Sequence, residues 1–153
     1  MQKISTCLWF DTQAEEAAKF YCTVFRNSMI KQVSHYGDAG PGPKGSVMTV
    51  AFELDGREML ALNGGPHFKF NHAVSLIVNC ETQKELDEMW DKLSAGGATE
   101  QCGWLRDKYG LSWQIVPAVL PQLVKDGAKA DKVMQAVLKM TKLDIAALQR
   151  AAA

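Results

Sequence analysis

Apolar and polar residues alternate through "KISTCLWF", residues 3–10, the step of two that sends successive side chains to opposite faces of a strand. The step then lengthens. In "FDTQAEEAAKFYCTVF", residues 10–25, Ala14, Ala17, Tyr21, Val24 and Phe25 fall near one face of a helix. Thr12 followed by Glu15 fits the capping box, in which each side chain satisfies a backbone amide at the helix start. The same change of step returns about seventy residues later. "AVSLIV" reads as a strand, and "NCETQKELDEMWDKL" as a helix with its stripe at Leu86, Met89, Trp90 and Leu93. Thr82 and Glu85 repeat the capping box, and Glu-Thr-Gln answers Asp-Thr-Gln, so the pattern predicts a duplicated unit.

The stretches after the two helices also match in kind. After the first come "SMIKQVSHYG" and "GSVMTVAFELDGREMLALNGG", with Asp55-Gly56 as a hairpin turn, because glycine tolerates the positive φ a tight turn demands. After the second, Gly96-Gly97 stops the helix. The strands "ATEQCGW", "WLRDK" and "SWQIVP" come next, the last two joined around Tyr109-Gly110. Each unit therefore reads β-α-β-β-β, and the class is α+β. The expected division is a first module at 1–66, a second at 67–117 and a helical extension at 118–153, forming one structural domain overall. "GDAGPGPKGS", residues 37–46, reads as a mobile loop. In the extension, Val133, Val137 and Met140 mark one helix and Ile145 and Leu148 a second, expected to pad a sheet edge or a subunit interface.

Composition narrows the function. Seventeen basic and 17 acidic side chains cancel, so the basic excess of a phosphate-binding protein is missing and nucleic acid is disfavoured as a partner. No run approaches the roughly 20 apolar residues that span a bilayer, and the N-terminus lacks the pattern of a signal peptide. Cys7, Cys22, Cys80 and Cys102 form no Cys-x-x-Cys pair and are expected as reduced thiols in a cytoplasmic protein.

The candidate chemistry starts at the last strand. Leu111, Trp113 and Ile115 point one way, whereas Ser112, Gln114 and Val116 point the other, which leaves a neutral amide amid apolar residues. Gln114 is either hydrogen-bonded in a core or lines a cavity. Val74, Leu76 and Val78 are expected toward the helix and Ala73, Ser75 and Ile77 toward the cavity, with His72 on the wrong side for it. Asn63, Ser75, Ser112 and Gln114 form the preferred ligand-binding set, small uncharged hydrogen-bonders suited to a weakly polar organic molecule. Satisfying one another or buried water is their alternative role. His67 is a candidate ligand contact in a loop at the cavity mouth, and Trp104 a candidate aromatic wall. Cys102 would need a cation such as Arg106 nearby to act as a nucleophile, and a bulge at Gly103 would separate the two, so a structural thiol is expected. No catalytic residue is assigned.

Two tandem β-α-β-β-β units resemble the vicinal-oxygen-chelate superfamily, which includes glyoxalase I, extradiol dioxygenases and fosfomycin- and bleomycin-resistance proteins. "LWFDTQAEEAAKFY", "LNGGPHFKFNHAVSLIVNCETQ" and "GGATEQCGWLRDKYGLSWQIVP" look like its PhnB-like subgroup, also labelled 3-demethylubiquinone-9 3-methyltransferase-like; the resemblance covers about residues 3–117, and the tail "KVMQAVLKMTKLDIAAL" also looks like that subgroup. The resemblance implies a curved half-barrel sheet in the glyoxalase-like manner, with C-terminal helices added. In metal-using relatives four cavity-facing side chains hold one divalent ion. The matching places here fall near Ile4 to Thr6, near Leu62 or Asn63, near His72 or Ala73, and at Gln114. Those residues offer no carboxylate and neutral amides are weak donors, so no metal or other cofactor is expected. The favoured reading is a metal-free cavity that binds a small organic molecule. A homodimer is expected with it, because half-open barrels leave edges that a second copy can cover. A metal-dependent glyoxalase or dioxygenase is the alternative. The quinone-precursor methyltransferase of the label ranks below it, because the chain lacks a glycine-rich strand-to-helix loop of the kind that binds nucleotide cofactors on a doubly wound sheet.

Overall fold

The alternating N-terminal stretch forms strand β1 (Thr6–Phe10), and the amphipathic run after it forms helix α1 (Ala14–Val24). Three further strands complete the unit: β2 (Met29–His35), β3 (Val47–Leu54) and β4 (Arg57–Asn63). Asp55 and Gly56, with φ of 47° and 77°, make the two-residue turn between β3 and β4. Both residues are left-handed, as the tight hairpin requires. The sheet order is β1-β4-β3-β2, with β1 parallel to β4 and the other pairs antiparallel. One face of this sheet packs on α1, where Ala17, Ala18 and Tyr21 are fully buried together with Val50, Phe52 and Ala61. Burying an aromatic such as Phe52 contributes roughly 1.5–3 kcal/mol.

The second half repeats the plan. Strand β5 (Ser75–Cys80) leads to helix α2 (Gln83–Ser94), then to β6 (Ala98–Thr99), β7 (Trp104–Arg106) and β8 (Ser112–Pro117). The order β5-β8-β7-β6, again with its first pair parallel, reproduces the first sheet strand for strand. Each unit is thus a four-stranded mixed sheet with one covering helix. The computed structural model describes residues 1–153, and its contacts group them into Met1–Phe70 and Asn71–Ala153.

The expected strand "ATEQCGW" is cut short. Cys102 and Gly103 both adopt positive φ, 63° and 82°, so the chain curls between β6 and β7. The tail fills the space this creates. Met140 and Thr141 offer their carbonyls to the amides of Cys102 and Gly103 at 2.8 Å each. The tail comprises α3 (Leu120–Leu123), α4 (Gly127–Leu138) and α5 (Ile145–Ala152), anchored by the buried Val133, Leu143 and Leu148. It rests on this turn and on the start of α2 instead of running along a strand edge. At that start the Gln83 amide donates to the Leu143 carbonyl at 3.1 Å and accepts from the Ile145 amide at 2.8 Å.

The helix caps part company. Thr82 accepts from the Glu85 amide at 3.1 Å, as expected, while the Glu85 carboxylate takes the amide of Glu81 at 2.8 Å. Thr12 does not cap α1. The helix begins after Gln13 without a side-chain cap of its own, and Asn63 Oδ1 accepts from the Ala14 amide at 2.8 Å instead. Asn63 ends β4 directly beside Phe10, at the point where β1 gives way to the helix, so its amide reaches the exposed first turn.

Candidate functional site

Register decides which side chains of the second unit stand together. Ser75, Ser112 and Arg106 lie in one cross-strand row, and Ile77, Gln114 and Trp104 in the next. Leu111, Trp113 and Ile115 are buried on the side covered by α2. The rows therefore occupy the face turned away from the helix, as alternation predicts. There Gln114 Nε2 donates to Ser75 Oγ at 2.9 Å. Ser112 is fully buried and its hydroxyl has no partner. Ile77 on the same face is 56% exposed. Four of the six expected ligand contacts, Ser75, Ser112, Gln114 and Trp104, are thus brought onto one face of the sheet, with Ser112 sealed beneath it.

A charged group borders them. Glu100 Oε2 accepts from Arg106 Nε at 3.2 Å and lies 2.8 Å from His72 Nε2, which must carry the proton when the carboxylate is ionised. The other oxygen, Glu100 Oε1, is buried without a partner. The His72 and Trp104 rings stand 6.4 Å apart. Sequence reasoning missed Glu100. Its signal was faint: only the curl at Cys102 and Gly103 brings Glu100 opposite Trp104, in the row of Gln114, within reach of Arg106.

The remaining two candidates belong to the first unit. Asn63 and His67 line a cavity of about 490 Å³ together with Asp11, Glu15, Tyr36 and Gly64–Pro66. Asn63 lies on the α1 side of its sheet, and its amide is engaged at both ends, toward Ala14 and, through Nδ2, toward the Val47 carbonyl at 3.1 Å. Tyr36, also missed, donates its hydroxyl to the Asn63 carbonyl at 2.5 Å. Residues 37–46 fold over its ring: the Tyr36 amide donates to the Ser46 carbonyl, and the Gly45 amide to the Tyr36 carbonyl, at 2.8 Å each. A Cβ at Gly40 or Gly42 would come within 2.4 Å or 2.3 Å of that ring, so both positions require glycine.

Two further chemistries can be weighed on these residues. No three His, Cys, Asp or Glu side chains gather where a metal ion could be held. The residues about Gln114 supply a neutral amide and hydroxyl groups, all weak donors, so the donor set does not fit a divalent ion. Cys102 sits in the left-handed turn with its amide bound to Met140, while the Arg106 guanidinium is engaged with Glu100. Burial, with the Glu85 carboxylate nearby, pushes the Cys80 thiol up to about 12. No helix is long and apolar enough to cross a membrane.

Comparison with known proteins gives this architecture its place. A family described as 3-demethylubiquinone-9 3-methyltransferase matches residues 2–116, which leaves the helical tail outside the match. No curated protein matches the chain. Among solved structures, a PhnB protein from Bacillus cereus, named for the same family, is 40% identical over 76% of this chain and 100% of its own, with a TM-score of 0.70. A Pseudomonas aeruginosa protein shares the fold at 19% identity, over 76% of this chain and 96% of its own, with a TM-score of 0.61. An Arabidopsis thaliana gene product does so at 14% identity, over 76% and 98%, with a TM-score of 0.52. The repeated β-α-β-β-β plan, the matched span and the 40% identity converge: this chain belongs to the PhnB-like 3-demethylubiquinone-9 3-methyltransferase family.

Proposed function

We propose that the protein binds a small organic molecule, without a metal ion, on the face of the second sheet turned away from α2. The observation that carries this reading is the hydrogen-bonded Gln114–Ser75 pair, a polar, uncharged group on the helix-free face beside Trp104 and the exposed Ile77. Trp104 supplies an apolar wall in the adjacent row, and Ile77 adds exposed apolar surface. Uncharged hydrogen-bonders on a largely apolar surface suit a weakly polar molecule.

Methyl transfer, suggested by the family description, draws no support from the glycines. Gly96-Gly97 follows a helix, and Gly64-Gly65 runs into Pro66, so neither forms a strand-to-helix loop that could seat a nucleotide cofactor. A second reading places the ligand in the first unit's cavity. Its volume of about 490 Å³ falls in the range of small-molecule pockets, and His67 lines it.

A thermal-shift screen of small organic compounds tests both. Hits are expected to lose their stabilising effect in Gln114→Ala and Ser75→Ala and to keep it in His67→Ala. The opposite pattern moves the site to the first unit. Hits that survive all three substitutions, or stoichiometric divalent metal in the purified protein, would refute the proposal.

Pairing of two chains belongs to the same reading. Each sheet leaves two edge strands, and Met29 on one of them and Ile77 on another are exposed apolar residues that a second copy could cover. Gel filtration with light scattering is expected to give a homodimer mass; a monomer at micromolar concentration removes this part. The four unpaired cysteines support a cytoplasmic setting.

A further inference from the structure

We infer that Asn63 is a modification site: its side-chain amide is held against deamidation while the first unit is closed, and is lost to attack by Gly64 when that unit opens. Asn27, Asn71 and Asn79 precede serine, histidine and cysteine, and Asn63 alone precedes glycine. That pairing is the most reactive, because the glycine brings no side chain to shield its backbone nitrogen or restrict its rotation. In the reaction the Gly64 nitrogen bonds to Asn63 Cγ, the Cγ–Nδ2 bond breaks, and ammonia departs with the proton the nitrogen gives up. Water then opens the cyclic imide. Attack at Cγ leaves aspartate; attack at the main-chain carbonyl leaves isoaspartate, whose chain runs through the former side chain.

The fold restrains both partners in this step. The Gly64 amide donates to the Phe10 carbonyl at 2.9 Å, next to the paired Phe10 and Asn63, so its N–H points across to β1. The Asn63 side chain is pinned at both ends, Oδ1 by the Ala14 amide at 2.8 Å and Nδ2 on the Val47 carbonyl at 3.1 Å. Its main-chain carbonyl takes the Tyr36 hydroxyl. Trp9 Nε1 donates to the Gly65 carbonyl at 3.0 Å and holds the peptide that follows. Closing the imide ring requires the Asn63–Gly64 peptide to rotate out of the extended strand, and each of these bonds opposes that rotation.

The same contacts explain why so vulnerable a pair stands here. A Cβ on Gly64 would collide with the Trp9 indole, so no larger residue fits. At position 63 the fold uses an acceptor toward α1 and a donor toward β3, and among side chains of this length asparagine presents both. Conversion undoes the arrangement. Aspartate keeps the acceptor for Ala14 but sets a carboxylate oxygen against the Val47 carbonyl where a donor stood. Isoaspartate lengthens the main chain at the end of β4 and withdraws the cap. An opening that would otherwise reverse thus becomes permanent.

The test incubates the full chain at mildly alkaline pH, in buffer and in urea above its unfolding midpoint. Mass spectrometry of the digested protein follows the Asn63 peptide, with the Asn27, Asn71 and Asn79 peptides as internal references. In urea Asn63 is expected to convert about tenfold faster, or more, than the references and than Asn63 in buffer, because only open molecules react. The yield of refolded protein should fall with time in urea for the wild type and hold steady over the same period for Asn63→Asp. If Asn63→Asp does not refold, the conversion ratio of the wild type decides. Equal conversion of Asn63 in buffer and in urea overturns the inference, because the hydrogen bonds then give no protection. A reference asparagine that outpaces Asn63 in urea, or a yield that falls equally in Asn63→Asp, overturns it too.

Discussion

Asp107 is buried and holds the turn before β8 from inside: its Oδ1 accepts from the amides of Tyr109 and Leu111 at 2.9 Å and 3.1 Å, and its Oδ2 from Trp113 Nε1 at 2.9 Å. Removing the carboxylate strands buried donors, each worth roughly 1–3 kcal/mol. Asp107→Ala is therefore expected to destabilise the protein by about 3 kcal/mol or more in urea denaturation, with Asp107→Asn losing less. Two other residues set the response to pH. The Cys80 thiol, raised from 9.0 to about 12, stays protonated in the folded chain while the unfolded one ionises. Its share of stability is complete below pH 9 and drains away as pH rises toward 12. Asp87 works the other way: hydrogen bonds from Gln83 and Lys142 hold its carboxyl below the usual 3.8, so its contribution is present above that value and fades as pH falls beneath it. Denaturation curves across pH should show the alkaline loss shrink in Cys80→Ala and the acid loss shrink in Asp87→Asn. None of these residues stood out in the sequence. A lone Asp or Cys carries no local pattern, and its role depends on what folds over it.

At the scale of elements, the strands, helices and hairpin arise from local periodicity and turn chemistry. The helix caps break that rule. Thr12 and Thr82 begin nearly identical tetrapeptides, yet Thr82 alone caps its helix. Asn63 supplies the other cap from a strand far away in sequence, through a register no local rule contains. Asn63→Ala should cost about 1–2 kcal/mol, seen as a lower urea midpoint with unchanged slope, and Asn63→Asp less, since the accepting oxygen remains. Gly97 marks another contact set by tertiary structure. A Cβ there would lie 2.0 Å from the Arg106 carbonyl, so Gly97→Ala is expected to disrupt the β6–β7 pairing and lower the melting temperature. As a helix stop the glycine was legible in the chain. Its closeness to β7 was not.

Across the whole molecule, the tail is the part that sequence left most open. Val133 and Leu148 announced helices, but their resting place came from backbone pairing at Cys102 and Gly103 and from the two-handed grip of Gln83. Deleting residues from Met140 onward should speed amide exchange at the start of α2 and in the β6–β7 turn. Chelation with EDTA is expected to leave the melting temperature untouched, because no three metal-ligating side chains gather in the fold. By itself the sequence determined what is local or periodic: the two repeated β-α-β-β-β units, their buried stripes and the face on which Ser75, Ser112 and Gln114 meet. Strand alternation needs only neighbouring residues to be read. The Asn63 cap, the Tyr36 loop and the carboxylate of Glu100 beside Trp104 were decided by tertiary structure alone, because each joins residues through a turn or register whose geometry no short stretch encodes.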